Sequence, residues 1–198
     1  MIIKSLNRLT CDEHFVVSNP SEVLARLASP DADIVILPQE LQLDLDDLGC
    51  GATVHDKRIV LKYATANKQI SDELLEMSID HSELSAEMLR SIDVFAELFE
   101  QEQFDLRLEV TDKQSCPKFH CDNVYVRMLV TYFGPTTEFI DQNNPDDVHH
   151  VPLNALVFLK GHKHPTYQHR ILHRSPLLSA GEKRLCMIVN FCDWMPRR

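Results

Sequence analysis

The chain has 198 residues, 44% of them hydrophobic and 25% charged, an ordinary balance for a protein that buries a core. Its 20 Lys and Arg against 30 Asp and Glu leave a formal charge of −10, with the acidic residues concentrated in the first half. No basic patch is present to neutralise phosphates, which argues against nucleic acid or an anionic membrane surface as a partner. The N-terminal residues Met1–Arg8 lack the apolar run of a signal peptide. No stretch approaches the ~18 apolar residues of a membrane span, so the expected location is cytoplasmic. The six cysteines (11, 50, 116, 121, 186 and 192) include no Cys-x-x-Cys pair and read as reduced thiols in that compartment. One domain over 1–198 is expected.

Asn19-Pro20-Ser21-Glu22 is a helix start, a capping side chain followed by Pro and an acidic first turn, and the helix should end near Ser29-Pro30. Ala32–Pro38 reads as a strand closed by Pro. Gln39–Leu48 reads as a helix stopped by Gly49-Cys50-Gly51, and Arg58–Ala64 as a second β-rich run. Ser82–Gln101 is the clearest helix. Leu84, Met88, Leu89, Ile92, Phe95, Ala96 and Phe99 recur at helical spacing, with Ser82 and Ser85 as candidate caps. This stripe should brace a sheet.

From Phe104 the period changes to two. Phe104, Leu106, Leu108 and Val110 alternate with Asp105, Arg107, Glu109 and Thr111, the pattern of a half-buried strand. Asn123–Phe133, Leu153–Lys160 and Leu185–Phe191 complete four strands, and Asp141–Asp147 reads as a polar turn region. The fold class expected is α+β, mainly β: a double-stranded β-helix, the cupin-like jelly roll, with N-terminal and bracing helices. Residues 1–101 would form a mostly helical portion with two short strands, and 102–198 a jelly-roll metal-binding core.

Within that core stands His120-Cys121-Asp122. On a strand, residues i and i+2 point to one face, so His120 and Asp122 project together while Cys121 points away. With His173 from another strand they make a 2-His-1-carboxylate set, which leaves coordination positions open on a metal. Downstream, Ser179-Ala180-Gly181 reads as the turn of a loose hairpin that sets His173 roughly opposite Arg184. An arginine there offers a planar fork for a carboxylate.

The His-x-Asp pair, the distal His and an Arg about eleven residues later resemble the Fe(II)/2-oxoglutarate oxygenase superfamily. Arg127, Thr131-Tyr132 and Gly134–Phe139 are similar to the stretch after His-x-Asp in its prolyl-hydroxylase-like members. Cys116-Pro117-Lys118-Phe119-His120-Cys121-Asp122-Asn123 and His173-Arg174-Ser175-Pro176 look like an uncharacterised bacterial family of unknown function. The superfamily resemblance implies Fe(II), or another divalent metal, held by His120, Asp122 and His173, with 2-oxoglutarate as co-substrate clamped by Arg184. Arg127 and Tyr132 are further candidates at the co-substrate. It implies a hydroxylase or demethylase acting on a small-molecule or protein substrate. Where the superfamily often has Ser two residues after the Arg, this chain has Cys186. Two other readings stay open: a non-catalytic cupin-like metal-binding or regulatory protein of metal homeostasis, and a zinc–thiolate site built on Cys116, Cys121 and His120. His149-His150, His162, His164 and His169 invite a second metal, or are loop histidines flanking a strand.

Overall fold

In the computed structural model, which describes residues 15–40, 43, 45 and 48–192, helices interleaved with two strands come first and a run of strands follows. The chain order is α1 (Pro20–Ala28), β1 (Ile34–Leu37), the single turn α2 (Leu48–Gly51), β2 (His55–Lys62), a 3-10 turn at Tyr63–Thr65, α3 (Ala66–Glu76) and α4 (Ser82–Phe99). Then come β3 (Gln103–Thr111), β4 (Val126–Phe133), β5 (Glu138–Asp141), β6 (Asn144–His150), β7 (Leu156–Lys160), β8 (Ile171–Arg174) and β9 (Arg184–Phe191). No helix among the described residues is long and apolar enough to cross a membrane. Cys50, Cys116, Cys121 and Cys186 form no disulfide.

Helix starts follow the local chemistry. Pro20 sits in the first turn of α1, where its missing N–H costs nothing, and Val23 and Leu27 one turn apart are buried. The cap of α4 is His81, whose Nδ1 accepts the Leu84 N–H at 3.1 Å, rather than Ser82 or Ser85. Ser85 instead meets the Ser71 hydroxyl of α3 at 2.9 Å. The helix expected over Gln39–Leu48 is not found. Positions 41, 42, 44, 46 and 47 lie outside the described residues, those at 39, 40, 43 and 45 are in no helix, and Gly49-Cys50-Gly51 falls inside α2.

Two antiparallel sheets face each other. The larger runs β1-β7-β4-β9-β3-β2 and the smaller β6-β5-β8. Strands from the N-terminal portion, β1 and β2, are the two edges of the larger sheet, so that portion and the core share one sheet. The turn region expected at Asp141–Asp147 is mostly strand. A two-residue turn pairs Asp141 with Asn144, and β6 continues to His150 as an exposed edge that tolerates Pro145.

Alternation divides the larger sheet into two faces. Phe104, Leu106, Leu108, Val110, Val126, Met128, Val130, Leu185, Met187 and Val189 pack against Val23, Leu27, Ile70, Leu74, Met88, Ile92 and Phe95 of the helices. Phe95 is fully buried, its ring 4.7 Å from Phe99, 5.7 Å from Phe104 and 5.3 Å from Phe191 between centroids. The other face turns toward the smaller sheet. There Ile34, Ile36, Leu129, Val157 and Leu159 meet Phe139 and Ile171 in a second apolar cluster. Toward β9, β3 and β2 that inner face turns polar, and a cavity of about 560 Å³ opens between the sheets.

Candidate metal centre

His120 lies in the loop between β3 and β4, and the loop is laid down as an extension of β8. The His120 N–H donates to the His173 carbonyl and the His173 N–H to the His120 carbonyl, both at 3.0 Å. Further along, the Ser175 N–H donates to the Cys116 carbonyl at 3.0 Å, and Gln114 Nε2 to the Ser175 carbonyl at 2.8 Å. This single antiparallel bridge brings the two imidazoles to 4.6 Å between centroids. His-x-Asp is therefore not carried by a continuous strand, since β4 begins at Val126 rather than Asn123. Asp122 is held by the turn after β7. The His162 N–H donates to its carbonyl at 2.9 Å, and a Cβ on Gly161 would lie 2.2 Å from the Val124 carbonyl oxygen. Only glycine permits that approach.

Among the described residues, His120, Asp122 and His173 are the group of His, Cys, Asp and Glu donors placed to hold a metal, their ligand atoms all within 4.8 Å of one another. His173 Nε2 is 3.1 Å from Asp122 Oδ2, and His120 Nε2 is 3.7 Å from Asp122 Oδ1. Two donors about 2.1 Å from one ion and at right angles stand roughly 3.0 Å apart, so the set fits an ion after small adjustments. The tautomer of His120 fits too. Its Nδ1 lies 2.9 Å from the Lys118 carbonyl, which can only accept, so Nδ1 carries the proton and Nε2 presents its lone pair.

Charge at the centre is arranged for an anionic ligand atom. Burial pushes the Asp122 carboxyl up, but the His173 hydrogen bond and the charges of Arg127, His173 and His120 prevail and bring it to about 2. Burial lowers the His173 imidazole below its ordinary value, against the pull of Asp122. Arg127 Nη1 donates to Asp122 Oδ2 at 2.6 Å and Arg127 Nε to Asn190 Oδ1 at 3.0 Å. Arg127 thus positions the carboxylate, and its fork is engaged there rather than held open for a co-substrate.

Arg184 reaches the same cavity from β9. His173 is on β8 of the smaller sheet, so the two do not pair across a hairpin as expected. They face each other from opposite sheets across the cavity that both line. The Arg184 side chain is buried and, among the described residues, meets only neutral acceptors: Thr137 Oγ1 at 2.6 Å, Thr131 Oγ1 at 3.2 Å and Cys186 Sγ at 3.4 Å, all through Nη2. Its Nε has no hydrogen-bond partner. A guanidinium buried beside neutral acceptors is costly on its own, and an anion entering the cavity would offset that cost.

Tyr132 is a correction. It is buried on the opposite face of β4, where its hydroxyl meets Ser91 of α4 at 3.2 Å, and it does not line the cavity. Burial raises its phenol. The zinc–thiolate set does not assemble either: no cysteine belongs to a metal-capable group among the described residues. Nor do His149, His150, His162, His164 and His169 form one. His162 and His169 rest against Tyr167.

A family model described as "Protein of unknown function (DUF1826)" matches residues 18–190. The chain belongs to the DUF1826 family. No curated protein matches it by sequence. Among solved structures, dioxygenase for auxin oxidation 1 from Arabidopsis thaliana, in a binary complex with 2-oxoglutarate, superposes with TM-score 0.54 at 12% identity, covering 89% of each chain. The rice dioxygenase for auxin oxidation gives TM-score 0.52 at 12% identity, covering 87% of this chain and 78% of that one. At such identities the likeness is one of fold, and this DUF1826 chain has the jelly roll of the 2-oxoglutarate oxygenases.

Several side chains of the DUF1826 site escape the motif. Thr131 and Thr137 supply the hydroxyls at Arg184 that Cys186 does not, and Asn190 braces Arg127. On the far wall, Arg107 grips Asp56 through Nε at 2.6 Å and Nη2 at 2.7 Å, with Ser115 donating to the buried Glu109 beside it. Strand alternation points to two of them: Asn190 shares one face of β9 with Arg184, Cys186 and Ile188, and Thr131 pairs with Cys186.

Proposed function

We propose that this protein is an Fe(II)/2-oxoglutarate-dependent oxygenase, a hydroxylase or demethylase. The observation that carries this reading is the pairing, in one cavity, of a three-donor cluster with a buried arginine that has no counter-ion among the described residues. Fe(II) or a similar ion would be held by His120 Nε2, an Asp122 oxygen and His173 Nε2. When bound, iron with 2-oxoglutarate and O2 supplies oxidation of an unactivated C–H bond, with release of succinate and CO2.

The chain's own residues do the rest. Lys118 fixes the His120 tautomer through its carbonyl, and Arg127 keeps Asp122 ionised and aimed. Arg184 receives the carboxylate of the keto acid farthest from the metal, with the Thr131 and Thr137 hydroxyls beside it, and the apolar layer of Leu129 and Ile188 limits water. The reaction is assigned to the cytoplasm, on a substrate that is neither nucleic acid nor membrane. The test is calorimetric titration of 2-oxoglutarate into anaerobically metal-loaded protein, followed by succinate release on admitting oxygen. Binding to the metal-loaded but not the metal-free protein is expected. No binding removes the oxygenase reading and leaves a protein that only binds metal.

A further inference from the structure

The cavity has a second feature, at its mouth. Among the described residues its lining carries five arginines (58, 107, 127, 174 and 184) against three carboxylates (Asp56, Glu109 and Asp122), in a protein whose formal charge is −10. Among the described residues Leu129 and Ile188 are its only aliphatic side chains, so an apolar molecule finds little wall to cover. Three of the arginines are committed: Arg184 at the inner end, Arg127 to Asp122 and Arg107 to Asp56. Two are not. Arg58 Nε lies 2.7 Å from Asp105 Oδ1 in an ion pair, and Arg174 donates through Nε to Glu138 at 2.6 Å. Neither acceptor lines the cavity, and the terminal amino groups of both arginines have no partner among the described residues. Their side chains are 60% and 32% exposed, which puts them at the opening rather than the floor. Phe119 lies under the Arg174 guanidinium at 4.2 Å and sets its plane.

We propose that Arg58 of the larger sheet and Arg174 of the smaller one receive an anionic group of the substrate, a carboxylate or a phosphate, across the mouth of the cavity. The proposal rests on the oxygenase reading for calling the bound molecule a substrate. The anion site itself rests on the two arginines. Each is anchored by Nε from behind, so its remaining donors are ordered before the ligand arrives and little freedom is lost on binding. At about 560 Å³ the cavity is of small-molecule size, within the roughly 300–1,000 Å³ usual for such sites.

The test uses three probes on one carbon skeleton: glycerol, glycerate and glycerol 3-phosphate. Each is titrated calorimetrically into metal-loaded protein, without oxygen, with and without saturating 2-oxoglutarate. At least one anion should bind tenfold or more tighter than glycerol, and the tighter of the two names the group. Arg58→Gln and Arg174→Gln should each weaken that anion at least tenfold and leave glycerol unchanged. Arg58 touches none of the three donors at the metal, so its substitution keeps the test alive if Arg174→Gln fails to fold. Equal binding of all three probes, or anion binding that survives Arg58→Gln, overturns the proposal. If 2-oxoglutarate fails to bind while the anion preference and its loss in Arg58→Gln persist, the oxygenase reading falls and the anion site stands.

Discussion

Arg184 separates ligand binding from folding more cleanly than any other residue of the site. The residue is 4% exposed, and its guanidinium donates to two threonine hydroxyls and a thiol and meets no carboxylate among the described residues. Replacing it with Met removes a desolvated charge, worth several kcal/mol, and loses hydrogen bonds to a charged group of roughly 1.5–3 kcal/mol each. The two nearly offset. Unliganded Arg184→Met should therefore melt within a few degrees of the parent. Ligand is where the difference lies. At 100 times its Kd, 2-oxoglutarate should stabilise the metal-loaded parent by about 2.7 kcal/mol, which for a chain of this size is a Tm rise of about 5–11 °C. Arg184→Lys keeps the charge and loses the planar fork. A tenfold weaker complex at the same concentration retains about 1.4 kcal/mol, and a hundredfold weaker one about 0.4 kcal/mol. The rise should shrink accordingly, and for Met it should vanish with metal content unchanged. The assay is a thermal melt with and without 2-oxoglutarate, alongside metal analysis. A Met variant that keeps the full ligand-induced rise would show that the anion binds elsewhere and refute the reasoning.

Three further outcomes follow from single contacts. Phe95→Ala removes a fully buried ring that touches Phe99, Phe104 and Phe191, and should cost about 3–5 kcal/mol by chemical denaturation; a loss under 1.4 kcal/mol, one decade in the folding constant, would make α4 peripheral. Arg127→Gln takes away the donor that aims Asp122, and chelator competition should read metal affinity about 10–100-fold weaker with the fold intact. Burial, then the charge of Lys160, lower His164 to about 4 against the pull of Asp33. The unfolded imidazole takes its proton near about 6.5, so the unfolded chain binds more protons as pH falls. Stability should drop between about 6.5 and about 4, and His164→Gln should flatten that slope in denaturant midpoints.

How far the sequence reached depended on whether a feature was local. The period-two run Phe104–Val110 and the helical stripe of Leu84, Met88, Ile92 and Phe95 each carry their burial pattern in consecutive residues, and both emerged as β3 and α4. α3 carried the same kind of signal, with Ile70, Leu74 and Met77 at helical spacing and buried, and was legible though not read. β6 was not legible. Its residues Asn144–His150 are almost all exposed and hold no alternation, so the strand exists because a two-residue turn hands it the free edge of β5. The break between β8 and β9 was hidden for a similar reason. Ile171–Arg174 and Arg184–Phe191 look like the arms of one hairpin, yet β8 pairs with β5 and β9 lies between β4 and β3, choices made by contacts tens of residues away.

The site divides along the same line, and β4 shows how. Arg127 and Tyr132 both came forward as co-substrate residues, but five positions apart on a strand they cannot share a face. Parity allows Arg127 with Leu129 and Thr131, or Tyr132 with Val130 and Met128, and the helix-side burial of the second set decides the matter. Carried across to β9, where Thr131 pairs with Cys186 and Arg127 with Asn190, the same parity gathers Arg184, Cys186 and Asn190 on the inner face. Thr131 and Asn190 could thus have been found from alternation alone, once Arg184 was taken as the inner-facing reference. What alternation could not supply is the far wall. Asp56 and Arg58 reach the cavity because β2, from the helical half of the chain, closes the edge of the larger sheet against β3. The inner residues at the metal and at Arg184 come from the motif-bearing half, whereas one of the two arginines at the mouth comes from the half without a motif. On the proposed reading, the chemistry sits on the first set, while discrimination between substrates is free to vary through the second.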